Sequence, residues 1–219
     1  LYAPDATQDE ANPPEAFTQG IDNLTARYVH PNGNVQIIKM NERGQVLEET
    51  DSLGMMHEFE RDEAGSVLVS RDHHGHEVVS TYDERGNRLT TRDAESALGT
   101  STVMTYDAKF SQITSITDEL GRQTRYQINS KGDNELTTHP DGSQWRYTYL
   151  PQGLLHTQTD PLLRVTVYDY DPYGRLSMVT NPDGWQRFYG YDQAGNTISI
   201  TDENHNVTTF AYDAMNRVV

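Results

Sequence analysis

Glycine recurs in this chain with a period of 21 residues. It stands at Gly44, Gly65 and Gly86, then again at Gly132, Gly153, Gly174 and Gly195, with Asn216 in the same phase. A fixed period of this length marks a repeat architecture, in which each unit covers its surfaces with its neighbours. Gly86 and Gly132 lie 46 positions apart, which is two periods plus four. The unit between them centres on Tyr106-Asp107-Ala108-Lys109-Phe110, with Phe110 in the glycine slot. A longer turn around 94–99 and one extra residue after Phe110 account for the surplus.

A second glycine follows the first by ten residues, at Gly54, Gly75, Gly142 and Gly184. Leu163 and His205 hold that slot in two units, and Gly33 belongs to an earlier unit marked by Asn23. Residues 17–219 therefore divide into nine units and the start of a tenth, while residues 1–16 read as an acidic, Pro-containing linker or loop. Two turn signals per unit imply two short strands per unit. One signal is x-Pro-Asx-Gly, as in His139-Pro140-Asp141-Gly142. There Pro presets φ and Gly accepts a positive φ. The other is Tyr-Asp-x-x-Gly, as in Tyr82-Asp83-Glu84-Arg85-Gly86 and Tyr191-Asp192-Gln193-Ala194-Gly195, where the Asp closes its own turn. The two patterns read as two distinct turn chemistries.

Between the turns, side chains alternate with period two, the signature of β-strands. Trp145, Tyr147 and Tyr149 share one face, and Tyr168, Tyr189 and Phe210 continue the pattern in later units. In register, such aromatics are expected to stack across adjacent strands, each pair worth roughly 0.2–1 kcal/mol. No segment has helical periodicity. The fold expected is all-β, a tandem array of hairpins.

Composition agrees with a thin sheet. Only 34% of residues are hydrophobic and the mean hydropathy is -0.78, too polar for one thick core. A net charge of -16 argues against nucleic acid, which needs clustered Lys and Arg, and against an anionic membrane surface; a cationic protein segment remains compatible. The absence of cysteine removes disulfides and thiolate sites. There is no apolar run long enough to span a membrane as a helix, and no signal-peptide pattern at the start. The sequence reads as a segment of something longer.

The most metal-like cluster is Asp72-His73-His74-Gly75-His76, since imidazoles and a carboxylate suit Zn²⁺ or Ni²⁺. It falls on a turn, where polar residues are expected in any case. Aspartates on the other turns match no calcium-binding loop and serve their own turns instead. With 33 acidic residues, carboxylate pairs such as Glu48 and Glu49 arise by chance, and no nucleophile triad or phosphate loop stands out. No cofactor, metal or catalytic residue is assigned.

The units Tyr82-Asp83-Glu84-Arg85-Gly86, Tyr170-Asp171-Pro172-Tyr173-Gly174, Tyr191-Asp192-Gln193-Ala194-Gly195 and Tyr212-Asp213 resemble tyrosine–aspartate (YD) repeats, and Tyr106-Asp107 heads a variant unit common in Rhs proteins. The family includes bacterial Rhs polymorphic toxins, the C component of insecticidal Tc complexes, wall-associated proteins and teneurins. The resemblance implies a curved, spiralling antiparallel sheet that forms an arc of a hollow shell. It implies enclosure of a C-terminal toxin, secretion or cell-surface display through a bacterial secretion system, and as partners the rest of the shell and the enclosed segment. An extracellular module binding glycan or protein is the alternative. Asp171-Pro172-Tyr173-Gly174-Arg175 has Arg where the family's self-cleaving motif has Leu, so that protease is not carried over. An excised arc leaves two strand edges, which predicts edge-to-edge self-association.

Overall fold

The computed structural model describes residues 24–94, 96 and 99–219, so the 1–16 segment and the Asn23 mark lie outside the described residues. The chain divides into two compact units, Leu1–Gly99 and Thr100–Val219. All regular structure among the described residues is β.

The first unit holds β1 (Leu24–Val29), β2 (Val35–Met40), β3 (Val46–Thr50), β4 (Met56–Arg61), β5 (Val67–Arg71), β6 (Glu77–Tyr82) and β7 (Arg88–Asp93). The second holds β8 (Thr102–Tyr106), β9 (Ile113–Thr117), β10 (Gln123–Ile128), β11 (Asn134–Thr138), β12 (Gln144–Tyr149) and β13 (Leu155–Thr159). It continues through β14 (Val165–Tyr170), β15 (Leu176–Thr180), β16 (Gln186–Tyr191), β17 (Thr197–Thr201) and β18 (Val207–Thr209). Within each unit every strand pairs antiparallel with the next, so each is a simple meander.

Both kinds of turn fold into the same loop, which corrects the reading of two turn chemistries. In the Tyr-Asp turn, Asp171 N donates to the Arg175 carbonyl at 2.8 Å, and Gly174 N donates back to the Asp171 carbonyl at 2.9 Å. In the Pro turn, His139 N donates to the Ser143 carbonyl and Gly142 N to the His139 carbonyl, both at 2.9 Å. This is a type I turn closed by a left-handed residue. Gly174 and Gly142 sit there at φ 80° and 83°. Asn216 and His205 also adopt it, as their side chains allow more readily than most. Leu163 adopts it at φ 64°, against a steric cost of roughly 1–2 kcal/mol for an L-residue with a full side chain.

Phe110 does not take the glycine role. The loop after Tyr106 is one residue longer, closed by Asp107 N donating to the Gln112 carbonyl at 2.9 Å, and Ser111 is the left-handed residue at φ 54°. The freed Phe110 ring lies over Gly132, where an added Cβ would stand 3.0 Å from its Cγ.

The two hairpins of a repeat differ in register. The Tyr-Asp hairpin carries one extra residue: Asp169 pairs with Met178 but Tyr170 with Leu176, leaving Ser177 bulged. The other hairpin is regular, Thr157 with Val167 and Thr159 with Val165. From Tyr147 the ladder runs to Gln158 and on to Thr166, which is 166 − 147 = 19 residues onward, whereas the sequence repeats every 21. Each repeat is therefore stepped two residues along the strands. No hydrophobic residue among the described ones is fully buried; the buried side chains are Ser80, Ser115, Thr137 and Asp160. Each unit is a single layer.

Candidate functional site

The most regular chemistry lies where one repeat meets the next. In four units the tyrosine that precedes the loop on this side points its hydroxyl at a backbone carbonyl 15 residues earlier. Tyr149 donates to Asn134 O, Tyr170 to Leu155 O and Tyr191 to Leu176 O, each at 2.8 Å, and Tyr212 donates to Thr197 O at 3.0 Å. Each of those carbonyls belongs to the first residue of the strand that follows the preceding Tyr-Asp turn. It lies beyond the last rung of the ladder to the next strand; between β13 and β14, for instance, the rungs stop at Thr157 with Val167. The phenol thus supplies the donor that the ladder does not, and it does so across a hairpin boundary. Burial against the sheet pushes the phenols of Tyr149 and Tyr170 above their ordinary pKa, so they stay protonated donors.

Arg61 occupies the same slot in the first unit. Its Nε donates to Val46 O at 2.8 Å, again 15 residues back, and its Nη1 to Gly65 O at 2.8 Å. Sequence reading missed this bond because one partner is backbone and leaves no mark in the sequence. The visible signal was the fixed tyrosine phase, with Arg61-Asp62 as its variant. The Tyr106 hydroxyl also lies 3.7 Å from Met104 Sδ, and at Tyr82 the Arg88 guanidinium lies 5.8 Å above the ring.

The turn aspartates act within their own loops. Asp171 Oδ1 accepts from Tyr173 N at 2.9 Å and Arg175 N at 3.0 Å, and Asp213 and Asp83 do the same in theirs. Asp107 accepts from the amides of Lys109, Phe110 and Gln112. The other oxygen takes the side chain at the fifth loop position, Asn87 Nδ2 on Asp83 at 2.8 Å and Arg217 Nε on Asp213 at 2.7 Å. These bonds hold the carboxyls of Asp83, Asp192 and Asp213 below the usual carboxylate range; the largest cause is the side chain of Asn87, Asn196 and Arg217 respectively. Gly86, Gly174 and Gly195 supply the left-handed closure.

The aromatic face exists as a face but not as a stack across adjacent strands. Tyr147 stands opposite Gln158, Tyr168 opposite Val179, Tyr189 opposite Ile200 and Trp145 opposite Thr137; Phe210 follows β18 and its N–H donates to Ile198 O. The aromatics occupy every second strand, and the two-residue step moves each off the line of the last. Their neighbours are aliphatic or polar, and Tyr168 donates to Gln158 Oε1 at 3.2 Å.

His73, His74 and His76 share the turn between β5 and β6, with ring centroids 3.8 Å apart for the first pair and 5.9 Å for the second. The structure adds His57 from β4, stacked on His73 at 6.3 Å, which sequence proximity did not suggest. His76 Nδ1 lies 3.2 Å from Asp72 Oδ2. Among the described residues no group of three such side chains is disposed to hold a metal ion.

Within each unit the two rims of the meander differ. On the Tyr-Asp rim, loops are tied to the next loop: Arg43 donates to Glu63 O, Lys131 to Pro151 O at 3.4 Å, and Arg175 to Asp192 O at 2.9 Å. The Arg175 guanidinium also lies between the rings of Tyr173 and Tyr191, at 5.1 and 4.6 Å. These three and Gln193 line an open recess of about 520 Å³ on that rim. On the opposite rim Leu120, Leu162, Leu163 and Trp185 are exposed.

The sequence matches the family model described as Teneurin YD-shell over residues 64–219. Among solved structures, it is similar to a TcdB2-TccC3 complex without its hypervariable C-terminal region, at 16% identity and a TM-score of 0.49, covering 93% of this chain and 12% of that one. A TcdB2-TccC3 complex matches at 16% identity and a TM-score of 0.48, covering 90% and 12%. A Tc holotoxin pore of Photorhabdus luminescens matches at 14% identity and a TM-score of 0.33, covering 88% and 17%. The chain thus spans about an eighth of the first two. No curated protein is significantly similar in sequence.

Proposed function

Because the chain belongs to the teneurin YD-shell family, we propose that it is one stretch of a shell wall that encloses a C-terminal toxin for delivery. The observation that carries this reading is the single-layer sheet with no fully buried hydrophobic residue among those described. Such a sheet has no interior to house a substrate. Ladders, loops and tyrosine staples pair its backbone groups within the plane, as a self-supporting wall requires. The constant two-residue step supports the same reading, since a sheet that winds or closes must be staggered along its strands. The aspartates are committed to their loops, which favours a structural over a catalytic role. The setting that fits is secreted or cell-surface, within a bacterial polymorphic toxin system, with the rest of the shell and its enclosed segment as partners.

The test is limited proteolysis of the whole protein that carries this sheet. A variable segment protected while the wall is folded, and cut once Tyr170→Ala and Tyr191→Ala loosen it, is the expected result. A segment equally cut in both states sinks the enclosure reading.

A second reading, a surface module that binds glycan, draws on the half-exposed face of Trp145, Tyr147, Tyr168 and Tyr189, because sugar rings pack on aromatic rings. Binding on a glycan array that is lost in Tyr147→Ala and Tyr168→Ala would favour it over enclosure.

A further inference from the structure

The ties along the Tyr-Asp rim follow a fixed pattern of their own. The third residue of a loop hands a cation to the carbonyl of the second residue in the next loop. Arg43 does so to Glu63 O, Lys109 to Ser130 O at 3.4 Å and Lys131 to Pro151 O at 3.4 Å. At Lys109 the ammonium also lies 4.5 Å from the centre of the Phe110 ring. The place beside that carbonyl, with an aromatic ring next to it, is thus one that this chain fills with its own lysine.

In the loop 171–175 the third residue is Tyr173, which has no ammonium to give. The carbonyl it would serve is Gln193 O, which accepts no hydrogen bond from any described residue. Tyr173 and Gln193 both line the open recess of about 520 Å³. Arg175 lies over one face of the Tyr173 ring, and with the residue 84% exposed the ring still offers surface to solvent. Ala64, Gln152, Ala194 and Met215 also stand third in their loops without a cation, but none of them brings an aromatic ring. Carbonyl and ring stand together here, as at Lys109, without the lysine.

The local charge favours a cation. The loops 171–175 and 192–196 hold two acids, Asp171 and Asp192, against one base, Arg175, which pairs with Asp171 at 2.6 Å. The flanking loop 150–154 is uncharged, and in the loop beyond, Asp213 pairs with Arg217 at 2.6 Å. The recess is therefore negative on balance, in a chain whose net charge is -16.

We propose that the recess between Tyr173 and Gln193 binds a primary ammonium, supplied by a lysine side chain of a partner polypeptide. The ammonium donates to Gln193 O as Lys131 does to Pro151 O, and rests on the Tyr173 ring as Lys109 rests on Phe110. A lysine fits better than an arginine, because a compact ammonium on a flexible stem can serve carbonyl and ring at once without a planar partner. The site does not depend on the enclosure reading.

An NMR titration of the 219-residue chain at physiological salt, which screens diffuse attraction to the acidic surface, is the measurement. The probe is the capped tripeptide glycyl-lysyl-glycine. Saturable amide shifts confined to the loops 171–175 and 192–196 are expected, and none with the same peptide acetylated on the lysine ammonium. Tyr173→Ala is expected to weaken binding roughly fivefold, the worth of an exposed cation–π contact. Tyr173→Lys places an ammonium in the recess from within the chain. It is expected to abolish binding and to slow hydrogen exchange in the loop 192–196, which a merely damaged site would not do. Both variants change an exposed side chain and are expected to melt as the wild type does. Shifts scattered over the surface that Tyr173→Ala leaves unchanged overturn the proposal. So does a Tyr173→Lys variant that binds the peptide as the wild type does. Butylamine that binds as tightly as the peptide overturns the assignment to a polypeptide.

Discussion

Residues 24–99 and 100–219 use the same 21-residue repeat but fill its boundary slot differently. In the second unit the slot before the loop is Tyr106, Ile128, Tyr149, Tyr170, Tyr191 and Tyr212, and the last four hydroxyls each reach a carbonyl 15 residues back. In the first unit the corresponding residues are Met40, Arg61 and Tyr82, and Arg61 makes the same bond through a guanidinium. A rigid phenol and a flexible cation have little in common beyond an N–H or O–H at the right reach. The shared requirement is a donor for a carbonyl left beyond the ladder. The units also place charge differently: the second unit's pairs of Arg122 with Asp118, Arg164 with Asp160, Arg175 with Asp171 and Arg217 with Asp213 lie within single loops, whereas those of the first unit join neighbouring strands. Lys39 pairs with Glu48 at 2.7 Å, and Arg71 pairs with Glu58 at 2.8 Å and Glu77 at 2.5 Å, so a cation flanks each of the glutamates that face each other at positions 48 and 58. These are surface pairs and weaken with salt. Urea unfolding in rising salt should therefore destabilise a 24–99 probe more than a 100–219 probe.

The largest effect expected is from Tyr170→Ala. It removes the staple and the ring that packs on the sheet, and should cost about 3 kcal/mol, in the range seen for large aromatic truncations. Tyr170→Phe keeps the ring and strands the Leu155 carbonyl, for about 1–2 kcal/mol. Hydrogen exchange localises the effect: the β13–β14 amides should lose protection first. Equal losses in Tyr170→Ala and Tyr170→Phe would show that the hydrogen bond is the whole effect; no loss in Tyr170→Phe would show that it is none of it.

Arg61→Met tests the equivalence from the other side and should cost about 1 kcal/mol or more, whereas Arg61→Tyr should be nearly neutral. If Arg61→Tyr destabilises as much as Arg61→Met, the two units do not share one boundary chemistry.

Acid should separate loops rather than units. The carboxyls of Asp83, Asp192, Asp202 and Asp213 lie below their ordinary value of 3.8. Groups depressed on folding contribute stability that is fully present above 3.8 and fades as pH falls through their lower folded values. The Leu150 loop has no such carboxylate at its first position. Its amides should keep their exchange protection relative to the Asp192 and Asp213 loops as pH drops below 3.8, the ordinary value.

How much of this was legible beforehand follows from which partner each interaction uses. The period, the two turns per unit and the aspartate that closes its own loop are local, and local chemistry shows in sequence. The residue count placed one extra residue after Phe110, but it could not show that this residue, Ser111, takes the left-handed position and frees the Phe110 ring to lie on Gly132. Aromatic stacking failed because a one-residue bulge in each Tyr-Asp hairpin sets the ladder at 19 residues against a repeat of 21. The tyrosine staple and the His57 contact were hidden because one joins a side chain to backbone and the other crosses strands.

The smallest effect bears on why the rims differ. Leu163→Gly should raise stability by less than about 1 kcal/mol, since relief of the left-handed strain is partly offset by the greater freedom of glycine in the unfolded chain. Gly142→Leu, at the equivalent loop, should lower it by about 1–2 kcal/mol. Opposite signs from the two exchanges would mean that the loop geometry prefers glycine at both places and that position 163 keeps its leucine for something other than folding. If Leu163→Gly instead destabilises, the leucine packs usefully where it stands, and the strain at φ 64° is offset locally.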